Sequence, residues 1–227
     1  MYNVSWESAW AIIRAEFPFA LWETLYATVL ATALAIVIGL PLGVLLAAGE
    51  KDGVRPLPRW LLHALNLIVN ILRSVPFIIM MVLVIPLTRL LLGKAYGTMA
   101  SVVPLVIAAF PFVARLVESS LRAVDKNLVE AARSMGASPM QIITRVLLPE
   151  SVPSLISNCT IALTTILGYT AMSGAVGGGG LGKLAISYGY QRYDLLVLVA
   201  AVILLVVLVQ GFQMLGTWLA QKVDRRK

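Results

Sequence analysis

Charge is scarce in this chain of 227 residues. Only 13% are Asp, Glu, Lys or Arg, against 59% hydrophobic. A soluble domain of this size needs a polar exterior, so the shortage excludes one. Cysteine is nearly absent. The single Cys159 rules out a disulfide framework within a monomer and any Cys-rich metal site, and it reads as a small apolar residue of a helix. His63, the one histidine, has no His or Cys partner, so neither a metal site nor a Ser/His triad can be drawn. No catalytic residue and no metal ligand is assigned. The opening residues lack the basic start and small-residue cleavage site of a signal peptide, so the chain is expected to be inserted in a membrane rather than secreted.

What the chain has in quantity is long apolar runs. A span needs about 20 apolar residues. Candidate spans cover 21–48, 61–92, 99–121, 152–176 and 195–220. The second is too long for one simple crossing and carries Arg73 and Pro76 inside it, where Pro76 predicts a bend. The expected organisation is an interfacial N-terminal segment over 1–18, a membrane domain over 19–221 with a polar loop at 122–151, and a basic tail over 222–227. Trp6, Trp10, Ile13 and Phe17 suit the interfacial segment. Basic residues orient the five spans. Eleven fall on the side of the C-terminus (Lys51, Arg55, Arg59, Arg122, Lys126, Arg133, Arg145, Lys222, Arg225, Arg226 and Lys227), and five fall on the other (Arg14, Arg89, Lys94, Lys183 and Arg192). The expected topology therefore has the N-terminus outside and the C-terminus in the cytoplasm. The net charge of +7 is this inside bias, and no nucleic-acid partner is read from it.

Several polar residues sit inside or beside the spans. Arg59, His63, Asn66, Asn70 and Arg73 share one helical face, which suits either the cytoplasmic edge of the membrane or a protein-lined aqueous cavity. Arg115 and Glu118 are three apart and can pair, as structural support or as part of a gate. Asn158, Thr160, Thr164, Thr165, Tyr169, Thr170, Met172 and Ser173 make the fourth span polar, for packing between helices or for a cavity. Gly39 and Gly43 are read as a packing contact with another helix of the same chain, because Pro41 stands between them. Gly177 to Lys183 imitates a phosphate-binding loop. Leu184 stands where Ser or Thr is needed, and no strand precedes it, so nucleotide binding by this chain is rejected. A compact external turn, near a dimer axis or in an outer gate, suits these glycines better.

The polar loop carries the most information. A short helix is expected from about Asn127 to Met135, ending at Gly136 in a left-handed turn. Ser138 should cap a second helix, with Pro139 at its first position and Gln141 completing a capping box. Ala131, Ala132 and Gly136 would let another surface approach closely, and Glu130 offers it one charge-assisted contact.

Glu130-Ala131-Ala132, then Gly136, then Leu148-Pro149, resemble the "EAA" loop of type I ABC importer permeases. The likeness extends through Trp22 to Leu25, Gly39 to Val44, Leu72 to Met81, Pro104 to Phe112 and Ala171 to Gly182. These stretches resemble the permeases of methionine importers. The resemblance implies an all-α fold of five transmembrane helices, a multi-pass protein of a bacterial cytoplasmic (inner) membrane. It also implies that the loop is a coupling helix docking on a separate ATPase. On that reading Glu130, Ala131, Ala132 and Gly136 meet the ATPase. ATP and Mg are bound by two such ATPase subunits, and this chain is no enzyme and holds no cofactor of its own. A homodimer is expected, because five spans give little wall around a passage. A substrate-binding protein would deliver methionine from outside, and membrane lipid would surround the pair. Tyr169 and Met172, with Ser173 and Asn158, are the candidate pathway residues, since an aromatic ring and a thioether suit a sulfur-bearing side chain. Arg73, Pro76, Arg115 and Glu118 are the structural or gating candidates. The alternatives are a permease of the same type for another amino acid or an osmoprotectant, a secondary transporter, and a membrane scaffold. The secondary transporter would need midplane carboxylates or an internal repeat, and only Glu118 approaches that requirement.

Overall fold

The computed structural model describes residues 6–224. Val4 of the interfacial segment and Arg225, Arg226 and Lys227 of the basic tail lie outside the described residues. Among the described residues there are helices and turns and no β-strand. The helices are α1 (Trp6–Ala48), α2 (Arg59–Ser74), α3 (Phe77–Leu83), α4 (Ile85–Leu92), α5 (Thr98–Arg122), α6 (Lys126–Ser134), α7 (Pro139–Ile142), α8 (Leu148–Ser173), α9 (Gly180–Leu184) and α10 (Leu195–Val223). Helix is the only secondary structure whose single segment satisfies all of its own backbone groups in a hydrocarbon medium, which accounts for the composition of the list.

Four helical stretches are long and apolar enough to cross a membrane: 6–48, 98–122, 139–176 and 195–223. The pair α2 and α3 provides a fifth if taken together, bent by 103° at the break. That break falls where Pro76 stands as the N-cap of α3, with φ −57° and ψ 138°. The residue before a proline is pushed out of the helical region, so α2 stops ahead of it. The stretch 61–92 is thus three short helices, with Pro86 in the first turn of α4. The segment expected at the interface is continuous with the first span, because α1 runs 43 residues from Trp6 through Pro18. At about 1.5 Å per residue this helix is roughly twice as long as a bilayer core is thick.

The chain divides into two compact units. The first comprises Met1–Ala33, Val75–Ala108 and Leu163–Gln213. Its apolar centre gathers Ala9, Phe17 and Ala20 of α1, Leu181 and Leu184 of α9, and Val197 and Ala201 of α10. Trp6 and Trp10, on the other face of α1, stay exposed. The second unit comprises Leu34–Ser74, Ala109–Ala162 and Met214–Lys227. There Gly39 and Gly43 face α5 so closely that an added Cβ would lie 2.8 Å from Val113 and 2.5 Å from the Ala114 carbonyl. The pair is a packing contact within the chain, as the sequence suggested. Gly216 of α10 meets Thr160 of α8 in the same way.

Candidate functional site

The polar loop lies wholly in the second unit and is built by its own caps. Asp125 starts α6 by accepting the Asn127 N–H at 2.9 Å. The helix ends at Gly136, whose φ of 79° is left-handed. The Ala137 N–H reaches back to the Ala132 carbonyl at 3.0 Å, and the Gly136 N–H to the Arg133 carbonyl at 2.9 Å. These two bonds satisfy carbonyls that a helix end leaves bare. Ser138 and Gln141 then form the expected capping box, the Ser138 N–H donating to Gln141 Oε1 at 2.8 Å, with Pro139 in the first turn of α7. A π-helical turn over 143–147 joins α7 directly to α8. Pro149 lacks an N–H, and its ring crowds the carbonyl four residues back, so the wider turn relieves both defects.

The loop has an inner and an outer side. Ala132, Ile142, Ile143 and Leu147 are buried beneath it. Leu128, Met135 and Met140 are exposed, as are Glu130, Ala131 and Gly136. Met135 is 80% exposed, so apolar side chains stand here among the exposed charges of Asp125, Lys126, Glu130 and Arg133. Three of the four expected contact residues therefore face outward. Ala132 points inward, because successive helical residues lie about 100° apart.

Charged side chains tie the loop and the end of α5 to the rest of the second unit. Arg133 Nη2 donates to the Gly53 carbonyl at 2.8 Å. Arg115 Nη1 meets Glu118 Oε2 at 2.7 Å, and its Nη2 donates to Asn70 Oδ1 at 2.9 Å. Arg122 pairs with Glu118 and reaches Glu50 Oε1 at 2.6 Å. The Glu118 side chain is only 5% exposed, and two guanidiniums hold it, so its charge is compensated. The sequence reading found Arg115 with Glu118 but missed Arg122, which lies one turn further along the same face. Asn70 stood out only as a member of the polar stripe, with nothing to pair it to Arg115, and Glu50 carries no local signal.

The proposed pathway residues are not presented alike. Asn158 donates to the Leu116 carbonyl at 3.1 Å and to Ser120 Oγ at 2.7 Å, which ties it to α5. Ser173 is fully buried and donates to the Thr170 carbonyl at 2.7 Å. Tyr169 stacks on Phe77, ring centres 4.4 Å apart and planes within 5°. Met172 is 47% exposed. Arg73 is exposed in the last turn of α2, where a cation complements the helix dipole.

In the first unit the Gly-rich segment forms a turn that is pinned from a distance. Gly177 and Gly180 adopt φ of 90° and 78°. The Gly180 N–H donates to Glu23 Oε2 at 2.9 Å, and the Leu181 N–H to Thr24 Oγ1 at 2.9 Å. Thr98 donates its hydroxyl to Glu23 as well. Glu23 thus satisfies donors at the start of α9 and of α5, a role that sequence reasoning missed because its partners lie 157 and 75 residues away.

Several long apolar helices joined by a rigid, capped loop define a multi-pass membrane subunit. Residues 39–227 match the family described as binding-protein-dependent transport system inner membrane component, and the chain belongs to that family. It is 51% identical over 208 residues to the probable D-methionine transport system permease protein MetI of Vibrio cholerae, covering 91% of this chain and 92% of that protein. It is 44% identical over 159 residues to the methionine import system permease protein MetP of Bacillus subtilis, covering 70% and 72%. A chain in an inward-facing crystal structure of the MetNI methionine ABC transporter superposes with a TM-score of 0.90 at 43% identity, covering 98% of this chain and 100% of that one. An amino acid ABC transporter with histidines shares the fold, with a TM-score of 0.79 at 19% identity over 97% and 99%.

Proposed function

We propose that this chain is the permease subunit of an ATP-driven importer of methionine, working as a homodimer with two ATPase subunits and a substrate-binding protein. The observation that carries the reading is the 51% identity to a probable D-methionine permease along 91% of the chain. Family membership as an inner membrane component supports the class independently of the substrate.

The loop supplies the coupling. Its caps fix the backbone of α6 and α7, so the surface around Glu130 is preorganised for docking. Glu130 offers a charge-assisted contact, Ala131 and Gly136 permit close approach, and Leu128, Met135 and Met140 are covered by the ATPase when it binds. The loop is cytoplasmic and the N-terminus is outside, in keeping with the bias of basic residues. Closure of two ATP-bound ATPases draws the two copies of the loop together, and the spans answer by opening outward. ATP and Mg stay with the ATPase. Arg115, Glu118 and Arg122 hold the inner end of α5 rigid while the loop is pulled.

Met172, exposed on α8 three residues after Tyr169, is the side chain we assign to meet a thioether substrate. Met172→Ala lowers the preference for methionine over a branched aliphatic amino acid by about threefold, the value of one sulfur–aromatic or apolar contact. Equal preference in variant and wild type in competition uptake would remove Met172 from the path.

The deciding experiment is uptake of labelled methionine into vesicles holding the permease, its ATPase and its binding protein. Uptake must depend on ATP. Glu130→Lys should reduce it by about a hundredfold or more, since a reversed charge at a docking contact also loses the partner. Uptake of another solute in place of methionine sinks the substrate assignment and leaves the class standing. An ATPase that binds Glu130→Lys as tightly as wild type sinks the coupling role.

A further inference from the structure

The first unit holds a cavity of about 510 Å³ between α1 and the turn that joins α4 to α5. Its lining combines Phe19, Trp22, Tyr96 and Met99 with one acid, Glu23, and one base, Lys94. Phe19 and Trp22 are each 65% exposed and Tyr96 63%. The groove lies where two spans begin, at the end of the apolar run of α1 and the N-terminus of α5, the level at which aromatic side chains anchor a helix to the interface. An aromatic anchor needs no carboxylate, and a structural Glu needs no cavity beside it.

Glu23 uses one lone pair of each oxygen, on the Gly180 N–H and the Thr98 hydroxyl. A carboxylate offers about four acceptor sites, so two remain for a further donor. Among the described residues no ion pair engages Lys94. An anion and a cation on the rim of an apolar groove complement a ligand that carries both charges and a hydrocarbon body. Large apolar side chains so exposed at the edge of a span suit acyl chains, which a ligand entering from the bilayer brings with it.

We propose that this groove is a binding site for one phospholipid with a primary-amine headgroup. Its phosphate meets Lys94, its ammonium donates to the free acceptor sites of Glu23, and its acyl chains lie along Phe19, Trp22 and Met99. The lipid so held braces the same carboxylate that pins the Gly-rich turn, which makes the turn sensitive to the headgroup around it.

The test uses the intact permease–ATPase complex in vesicles of equimolar phosphatidylethanolamine, phosphatidylcholine and phosphatidylglycerol, extracted in mild detergent and weighed by native mass spectrometry. Wild type should retain phosphatidylethanolamine about tenfold over phosphatidylcholine, the worth of a charge-assisted hydrogen bond that a quaternary ammonium cannot make. Glu23→Gln should erase that preference, and Lys94→Gln should lower retention of every phospholipid. The wild-type headgroup comparison decides the matter even if the Glu23 variant fails to assemble. No headgroup preference, or preference for phosphatidylglycerol, overturns the proposal. So does displacement of the lipid by excess methionine, which would make the groove an amino-acid site. So does a disulfide between two copies carrying Lys94→Cys in a Cys159→Ser background, which would place a second permease chain there.

Discussion

The loop around Glu130 and the Gly-rich turn at 174–180 are both short connections beside α8, yet opposite means hold them in shape. The loop closes its helix ends from within, using Asp125, Ser138, Gln141 and the left-handed Gly136, all within four residues of the groups they satisfy. The turn has one such bond of its own, the Gly178 N–H on the Ser173 carbonyl at 2.8 Å, and otherwise closes from without. Its Gly180 and Leu181 N–H groups go to Glu23 and Thr24 on α1, and Gly97 donates to the Gly177 carbonyl at 2.8 Å. A segment that caps itself keeps its form when the surface it touches changes. A segment capped by its neighbours can keep its form only while they stay in place. The first arrangement suits a part that must dock repeatedly on another protein, and the second suits a part that responds to movement of the helices around it.

Substitutions separate the two modes. The largest expected effect is at Gly182, where a Cβ would lie 2.6 Å from the backbone carbon of Ala171. Gly182→Val should cost about 3 kcal/mol or prevent folding, because backbone cannot yield as a flexible side chain does. The yield of monodisperse permease in detergent and its unfolding midpoint measure this. Thr24→Val keeps the shape of a side chain that is 1% exposed but strands the Leu181 N–H. A loss of about 2 kcal/mol is expected, the cost of a buried donor left unpaired. Protection of the 180–184 amides from hydrogen exchange should fall while that of 126–142 stays. Gly136→Ala is the mildest. Nothing lies within 4 Å of the added Cβ, so only the strain of a left-handed alanine remains, about 1 kcal/mol. If Gly136→Ala proves as damaging as Gly182→Val, the loop depends on packing and the contrast fails.

The same contrast sets how much could be read from the sequence. The spans were legible because hydrocarbon demands unbroken apolar runs. The loop was legible because capping chemistry repeats at fixed offsets: the expected Ser138–Gln141 box and the end at Gly136 both form. Pro76 marked a real break. By contrast, Pro18 and Pro153 lie inside continuous helices, since neighbouring helices can satisfy the carbonyls a proline leaves bare. Asn158 looked like a pathway residue because polarity in a span is rare. Only the packing of α8 on α5 reveals that Ser120 and the Leu116 carbonyl take up its amide. Glu23 was invisible as a clamp for the same reason. Residue type gives the capacity for a hydrogen bond, and a partner 157 residues away is fixed only by tertiary structure.

The π turn at 143–147 has a mechanical consequence. It lets α7 and α8 form one uninterrupted helical rod from Pro139 to Val176, 38 residues with no hinge of coil. Within the second unit the loop therefore has no slack: α7 and the first turns of α8 share one ladder of hydrogen bonds, like two teeth cut on a single shaft.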